Sequence, residues 1–199
     1  MTDKYPNFEQ LVKGERPDHF TIFEQWGTTG VAIIAPHGGG IETGTSEIAK
    51  GIAGKEHSLY CFEGRRPGKN GDLHITSTNF DEPTGVELVN HAEKVVAIHG
   101  CADKKEIIYL SGLDGELKNK IRKSLMTAGF QAEEPATLSL QGTHLSNICN
   151  RGKCKCGVQV EISEGLRRTM FQDHTKRAGR VATKPTFNRF VSAIREAIG

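Results

Sequence analysis

Apolar residues fall along this chain in short unbroken runs and in helical stripes, and the two kinds alternate. The run VAIIA over residues 31–35 is apolar at every position, which predicts a strand buried on both faces. Runs at 58–62, 73–78, 95–98, 106–110 and 157–162 predict further strands. Helix signals lie between them. Residues 45–53 read as helical, with Thr43 or Thr45 as the cap and Glu47 favourably placed in the first turn. Asp81-Glu82-Pro83 opens a helix to about residue 91, since proline is at home in a first turn. Residues 113–128 form the clearest amphipathic helix: Leu117, Ile121, Leu125 and Met126 share a stripe, and Gly129 is placed to end it. A short helix near 164–171 and a terminal helix over 185–198 follow. Residues 135–156 form a long polar loop, and long loops within compact domains often carry function. Strands alternating with helices predict an α/β fold: a three-layer sandwich around a mixed, mostly parallel sheet. No repeat, low-complexity stretch or linker divides the chain, so residues 1–199 are expected to form a single domain.

Composition narrows the function classes. The 199 residues suffice for one real core. Lys and Arg total 26 against 24 for Asp and Glu, and a net charge of +2 gives no global field for nucleic acid. No apolar run approaches the roughly 20 residues that span a membrane, and the polar start MTDKYPNFEQ lacks a secretion signal. The expectation is a soluble monomer made in the cytoplasm, without nucleic-acid or membrane partners, that acts outside the cell only after lysis or by unusual export. Of five cysteines, Cys61 and Cys101 lie beside apolar runs and read as buried, reduced packing. Cys149, Cys154 and Cys156 cluster unevenly. Structural zinc wants four ligands in regular pairs, so the cluster reads as redox-sensitive or incidental.

The chemistry concentrates at strand ends, where α/β sheets form their sites. The 31–35 run leads to His37 in a glycine-rich bend, with Glu42 five residues later. The 95–98 run ends on His99, and 158–160 leads into Glu161. If these strands are neighbours, the three ends converge. A lone histidine is usually structural. These two both follow apolar strands and precede glycine, which lets backbone approach a ligand closely. His37, Glu42 and His99 together make the His2Glu set that catalytic zinc favours. The bend could instead cradle phosphate, but it has no lysine where a phosphate loop needs one, and Glu42 would repel the anion. Gln159 and Glu161 share a strand face. Glu161 is either an ion-pair partner of Arg167 or Arg168, or a general base beside a metal-activated water. Arg65, Arg66, Lys69, His74, Asn147, Asn150 and Arg151 supply cationic and amide groups, individually ordinary but together suited to an acidic substrate.

PHGGGIETGTSE, LHITSTNFDEP, VVAIHG and NICNRG followed by GVQVEIS resemble the motifs of the poly-γ-glutamate hydrolases of phages and soil bacteria, in the same order. The resemblance runs from about Tyr5 to the C-terminal helix. It implies an α/β core like that of zinc carboxypeptidases, with His37, Glu42 and His99 as zinc ligands and Glu161 as the catalytic carboxylate. The KCKC stretch before Gly157 has no counterpart in that pattern. The expected activity is zinc-dependent hydrolysis of the γ-glutamyl amide bonds of a polyanionic polymer. Arg151 or Arg66 would steady the oxyanion, and Arg65, Arg66, His74, Asn150 and Arg151 would contact substrate. Two other readings stay open: a zinc amidase for small acyl-amino acid or D-aminoacyl substrates, and a non-catalytic module binding acidic polymers.

Overall fold

In the computed structural model, which describes residues 3–199, seven strands form one sheet. The strands are β1 (Phe20–Gln25), β2 (Val31–Gly39), β3 (Ser58–Gly64), β4 (Lys94–Cys101), β5 (Ile107–Ser111), β6 (Gln131–Glu133) and β7 (Val158–Ser163), in the order β1-β3-β2-β4-β7-β5-β6. The β3-β2-β4-β7 centre is parallel, β5–β6 is parallel, and β1–β3 and β5–β7 are antiparallel. The sheet is therefore mixed and mostly parallel. The seven helices are α1 (Phe8–Gly14), α2 (Thr45–Ala53), α3 (Pro83–His91), α4 (Gly115–Thr127), α5 (Glu164–Met170), α6 (Arg177–Val181) and α7 (Pro185–Ile198). No helix of the described residues is long and apolar enough to cross a membrane.

Each sheet face buries its own core. On one, Ile33, Ile98 and Val160 meet Ile48 and Ile52 of α2, Ile121 of α4 and Phe190 and Ile194 of α7. On the other, Ile34, Phe62 and Ala97 meet Leu11 of α1, Leu88 of α3 and Ile148 in the long loop. These two cores explain why the central strands are apolar at nearly every position. The carboxyl ends of β2, β4 and β7 hold a group of buried polar side chains, His37, His99 and Glu161.

Several elements differ from the sequence expectation. Residues 73–78 are not a strand: a 3-10 turn at Asn70–Leu73 leads into extended chain whose backbone is claimed by side chains. The Ile75 carbonyl accepts from His37 Nε2–H (2.8 Å), and the Thr76 N–H donates to Asp3 (2.6 Å). The half-exposed edge strand β1 and the short α1, β6 and α6 carry too little periodicity to read. Met126 lies off the buried stripe and is exposed, while Leu117, Ile121 and Leu125 are buried. Helix α2 starts without a side-chain cap, at Gly44, whose φ of 98° and contact with Phe171 exclude other residues. The cysteine cluster is divided: Cys149 is buried as a thiol, and Cys154 is bonded to Cys156.

Candidate active site

The β2 chain runs past its apolar segment and delivers His37 into the bend. The bend closes on itself: the Glu42 N–H donates to the His37 carbonyl (2.9 Å), and Thr45 Oγ1 donates to the Glu42 carbonyl (2.8 Å). That closure folds the Glu42 carboxylate back over the imidazole. Strand β4, next to β2, brings His99 to the same point. Both histidines are 2% exposed. The Gly100 N–H donates to Glu42 Oε2 (2.8 Å). A side chain at Gly100 would run into the Arg167 guanidinium.

The atoms facing one another here are all of metal-ligand type. The Ile75 carbonyl can only accept, so His37 carries its proton on Nε2 and presents a lone pair at Nδ1. That Nδ1 lies 3.1 Å from Glu42 Oε1 and 3.1 Å from His99 Nδ1. The three ligand-type atoms lie within 4.8 Å of one another. A carboxylate and two imidazoles at this range are held together by a proton on His99 Nδ1, which a metal ion can replace. Burial alone would raise the Glu42 pKa, yet the charge and hydrogen bonds of the two histidines hold it well below the usual range. Burial pulls His99 down, but Glu42 and Glu161 bring it above its ordinary value. Two imidazoles and one carboxylate are the donor set of a catalytic zinc site, and these residues fit one. His99 Nε2 is buried without a hydrogen-bond partner among the described residues.

Glu161 reaches the site through sheet register. On the parallel β4–β7 pair it lies directly opposite His99. It is 5% exposed and makes no ion pair with Arg167 or Arg168 among the described contacts. Burial pushes its pKa up to about 7, against the pull of His99 and of a hydrogen bond from Gln159. Gln159 Nε2–H donates to Glu161 Oε1 (2.9 Å), and Asn147 Nδ2–H donates to Gln159 Oε1 (2.9 Å), so the long loop fixes the Gln159 amide and Gln159 fixes the carboxylate. The shared face of Gln159 and Glu161 is visible in the sequence; the link to Asn147 is not.

The remaining expected contacts divide. His74 joins the site: its ring lies 4.0 Å from that of His37, and Asp3 holds its Nδ1 (2.7 Å). Arg65 lies at the rim, partly exposed, with a 3.5 Å contact to Glu63. Arg66 is engaged by Asp72 (2.8 Å) and Glu15 (3.2 Å). Arg151 and Asn150 are engaged by the long loop. The Arg151 guanidinium donates to the carbonyls of Ser146, Phe80 and Thr78, and the Asn150 amide donates to those of Gly142 and His144. Both hold the loop. Arg167, by a similar grip on the carbonyls of Thr43, Cys101 and Ile162, ties the Glu42 bend to β4 and β7.

Comparison with known proteins agrees with this geometry. The family model described as poly-gamma-glutamate hydrolase matches residues 5–193. The SPbeta prophage-derived protein YoqZ of Bacillus subtilis (strain 168) is 44% identical over 92% of this chain, which spans 66% of that protein's length. YndL of the same organism is 34% identical over 96% of this chain and 76% of its own. Among solved structures, a bacteriophage poly-gamma-glutamate hydrolase superposes with a TM-score of 0.94 at 37% identity, covering 99% of this chain and 97% of that one. Zinc-free YndL superposes equally well, at 33% identity over 99% and 98% of the two chains.

Proposed function

The chain belongs to the poly-γ-glutamate hydrolase family, and from that premise we propose that it is a zinc-dependent hydrolase of the γ-amide bonds of poly-γ-glutamate. The observation that carries the proposal is the meeting of His37, Glu42 and His99 beside a buried, hydrogen-bonded Glu161.

His37 Nδ1, His99 Nδ1 and one Glu42 oxygen would hold the ion. Zinc bound there supplies Lewis-acid polarisation of the scissile carbonyl and of the attacking water. Glu161 takes the proton of that water and passes it to the leaving amine. Burial suits it to both halves of this exchange, because a pKa near the working pH lets one group accept and then donate. Gln159 keeps one Glu161 oxygen occupied, which leaves the other as the working base. Arg65 is the residue of the expected substrate set with the loosest hold, and His74, held by Asp3, lines the site beside His37; Arg66 is held by carboxylates, and Asn150 and Arg151 are held by the loop.

Glu161→Gln tests the reading, with zinc content and the fragment sizes of digested poly-γ-glutamate measured together. Zinc should stay bound while turnover drops by at least ~100-fold, the scale of a lost acid–base group. Parental turnover in the variant would remove Glu161 from the mechanism. A zinc-loaded parent that leaves both polymer and small γ-glutamyl amides intact would remove the hydrolase reading. Cleavage of small amides alone would point to an amidase.

A further inference from the structure

The metal centre lies between two cavities of opposite character. The first, about 240 Å³, opens beyond the ends of β2 and β3, where Gly39 and Gly40 follow His37 and Arg65 follows β3. Arg177 and Arg180, from a part of the chain that shows no function in its sequence pattern, complete its wall. The second, about 340 Å³, opens on the far side, beyond β4 and β5. It is lined by Cys101, two residues past His99, and by Tyr109, which faces Glu161 across the β5–β7 pair. The sheet order β3-β2-β4-β7-β5 thus places one cavity on each side of His37, His99 and Glu161.

Their charges differ. The second cavity is lined by Asp103, Tyr109, Pro135, Leu140 and other neutral residues, without a cation, and Asp103 accepts from Tyr109 (2.7 Å). The first presents four arginines against Glu47 and Glu63. Two of the four are anchored: Arg180, 4% exposed, is held by Glu47 (2.8 Å) and the His174 carbonyl, and Arg66 by Asp72 and Glu15. The other two are available. Arg177 is exposed and makes no ion pair among the described residues, and Arg65 is only 3.5 Å from a Glu63 whose nearer partner is Lys50 (2.5 Å). A guanidinium fork left free beside a cavity matches a carboxylate through two parallel hydrogen bonds.

We propose that the cavity beyond β2 and β3 is a subsite for the α-carboxylates of γ-glutamyl units on one side of the cleaved bond, with Arg65 and Arg177 as its gripping residues, and that the cavity beyond β5 grips no carboxylate. The inference rests on the hydrolase reading above. Recognition of the polymer is then one-sided: units added toward the arginines strengthen binding, and units added the other way do not.

Defined γ-glutamyl oligomers, lengthened one unit at a time at either end, test this through kcat/KM and the position of the cut read by mass spectrometry. In the parent, kcat/KM should rise about tenfold with lengthening in one direction only, the scale of one charge-assisted pair. The gain should shrink with salt. In the double variant Arg65→Ala, Arg177→Ala that gain should disappear through KM, with kcat changing far less. Equal gains in both directions, or a double variant that keeps the one-sided gain, would overturn the inference while leaving the hydrolase reading intact. A zinc-loaded parent that cuts no oligomer would overturn both.

Discussion

Two polar clusters in this molecule are resolved in opposite ways. Around Arg151 and Asn150, donors meet carbonyl acceptors on the backbone of the long loop. Around His37, Glu42 and His99, three ligand-type atoms face one another within 4.8 Å, and only a shared proton or a cation links them. The first cluster is complete as it stands and serves architecture. The second gathers its donors around one point where a cation fits. Residue type alone does not separate them: both an arginine in a polar loop and a histidine at a strand end were candidates for function. What separates them is whether the surrounding atoms satisfy the group.

The strongest way to break this comparison is Glu42→Gln, which keeps the side-chain shape and removes the charge. Zinc content should fall sharply, and turnover should drop by at least ~10³-fold, since a metal ion supplies several kcal/mol of charge stabilisation. The metal-free protein should also lose some thermal stability near neutral pH, because the histidine contacts that hold the Glu42 pKa below the usual range stabilise its charged form. A variant that retains zinc and activity would end the distinction.

Arg151→Ala should behave in reverse. It strands the carbonyls of Thr78, Phe80 and Ser146 and should cost about 2–3 kcal/mol of stability. In a chain of this size that lowers the Tm by about 5–10 °C, with zinc affinity preserved. Loss of turnover without loss of stability would place Arg151 on the substrate after all.

The smallest effect is expected where the two clusters touch. Gln159→Leu removes the donor that favours the charged form of Glu161, so the Glu161 pKa should rise. More of the carboxyl is then protonated at any given pH, and the acid limb of the kcat/KM profile should move upward. In the zinc-loaded parent that limb should lie between the ordinary glutamate value of about 4.3 and about 7, because the cation opposes the effect of burial. The variant should lose about tenfold near pH 6 and less near pH 8. An unmoved limb would show that Gln159 only fills space.

The sequence carried the catalytic centre further than it carried its surroundings. His37 and His99 stood out because each follows an unbroken apolar run, and Glu161 because it ends a strand in which Val158 and Val160 alternate with Gln159; such strands sit side by side in a parallel sheet. Glu42 was readable because it shares a short bend with His37. The hold on Arg151 was not readable, because its carbonyl partners at Thr78 and Phe80 lie 71 to 73 residues away, and carbonyls leave no mark in a sequence. Arg180 was invisible for a related reason: its partner Glu47 is 133 positions distant, and the helix that carries it is five residues long. The segment at 73–78 has a strand-like alternation but spends its backbone on His37 and Asp3 instead of a neighbouring strand.

The pairing of His99 with Glu161 across two adjacent parallel strands has a consequence for how this protein can change. Strand spacing is about 4.8 Å and nearly invariant, so the interval between a ligand and the neighbouring carboxylate is inherited from the fold and needs no tuning by loops. A slip of one residue in β7 would turn Glu161 to the opposite face and bring Val160 or Ile162 in its place. Mutational drift can therefore reshape the rims, and with them the choice of polymer, while the reacting centre can be kept or lost but hardly adjusted.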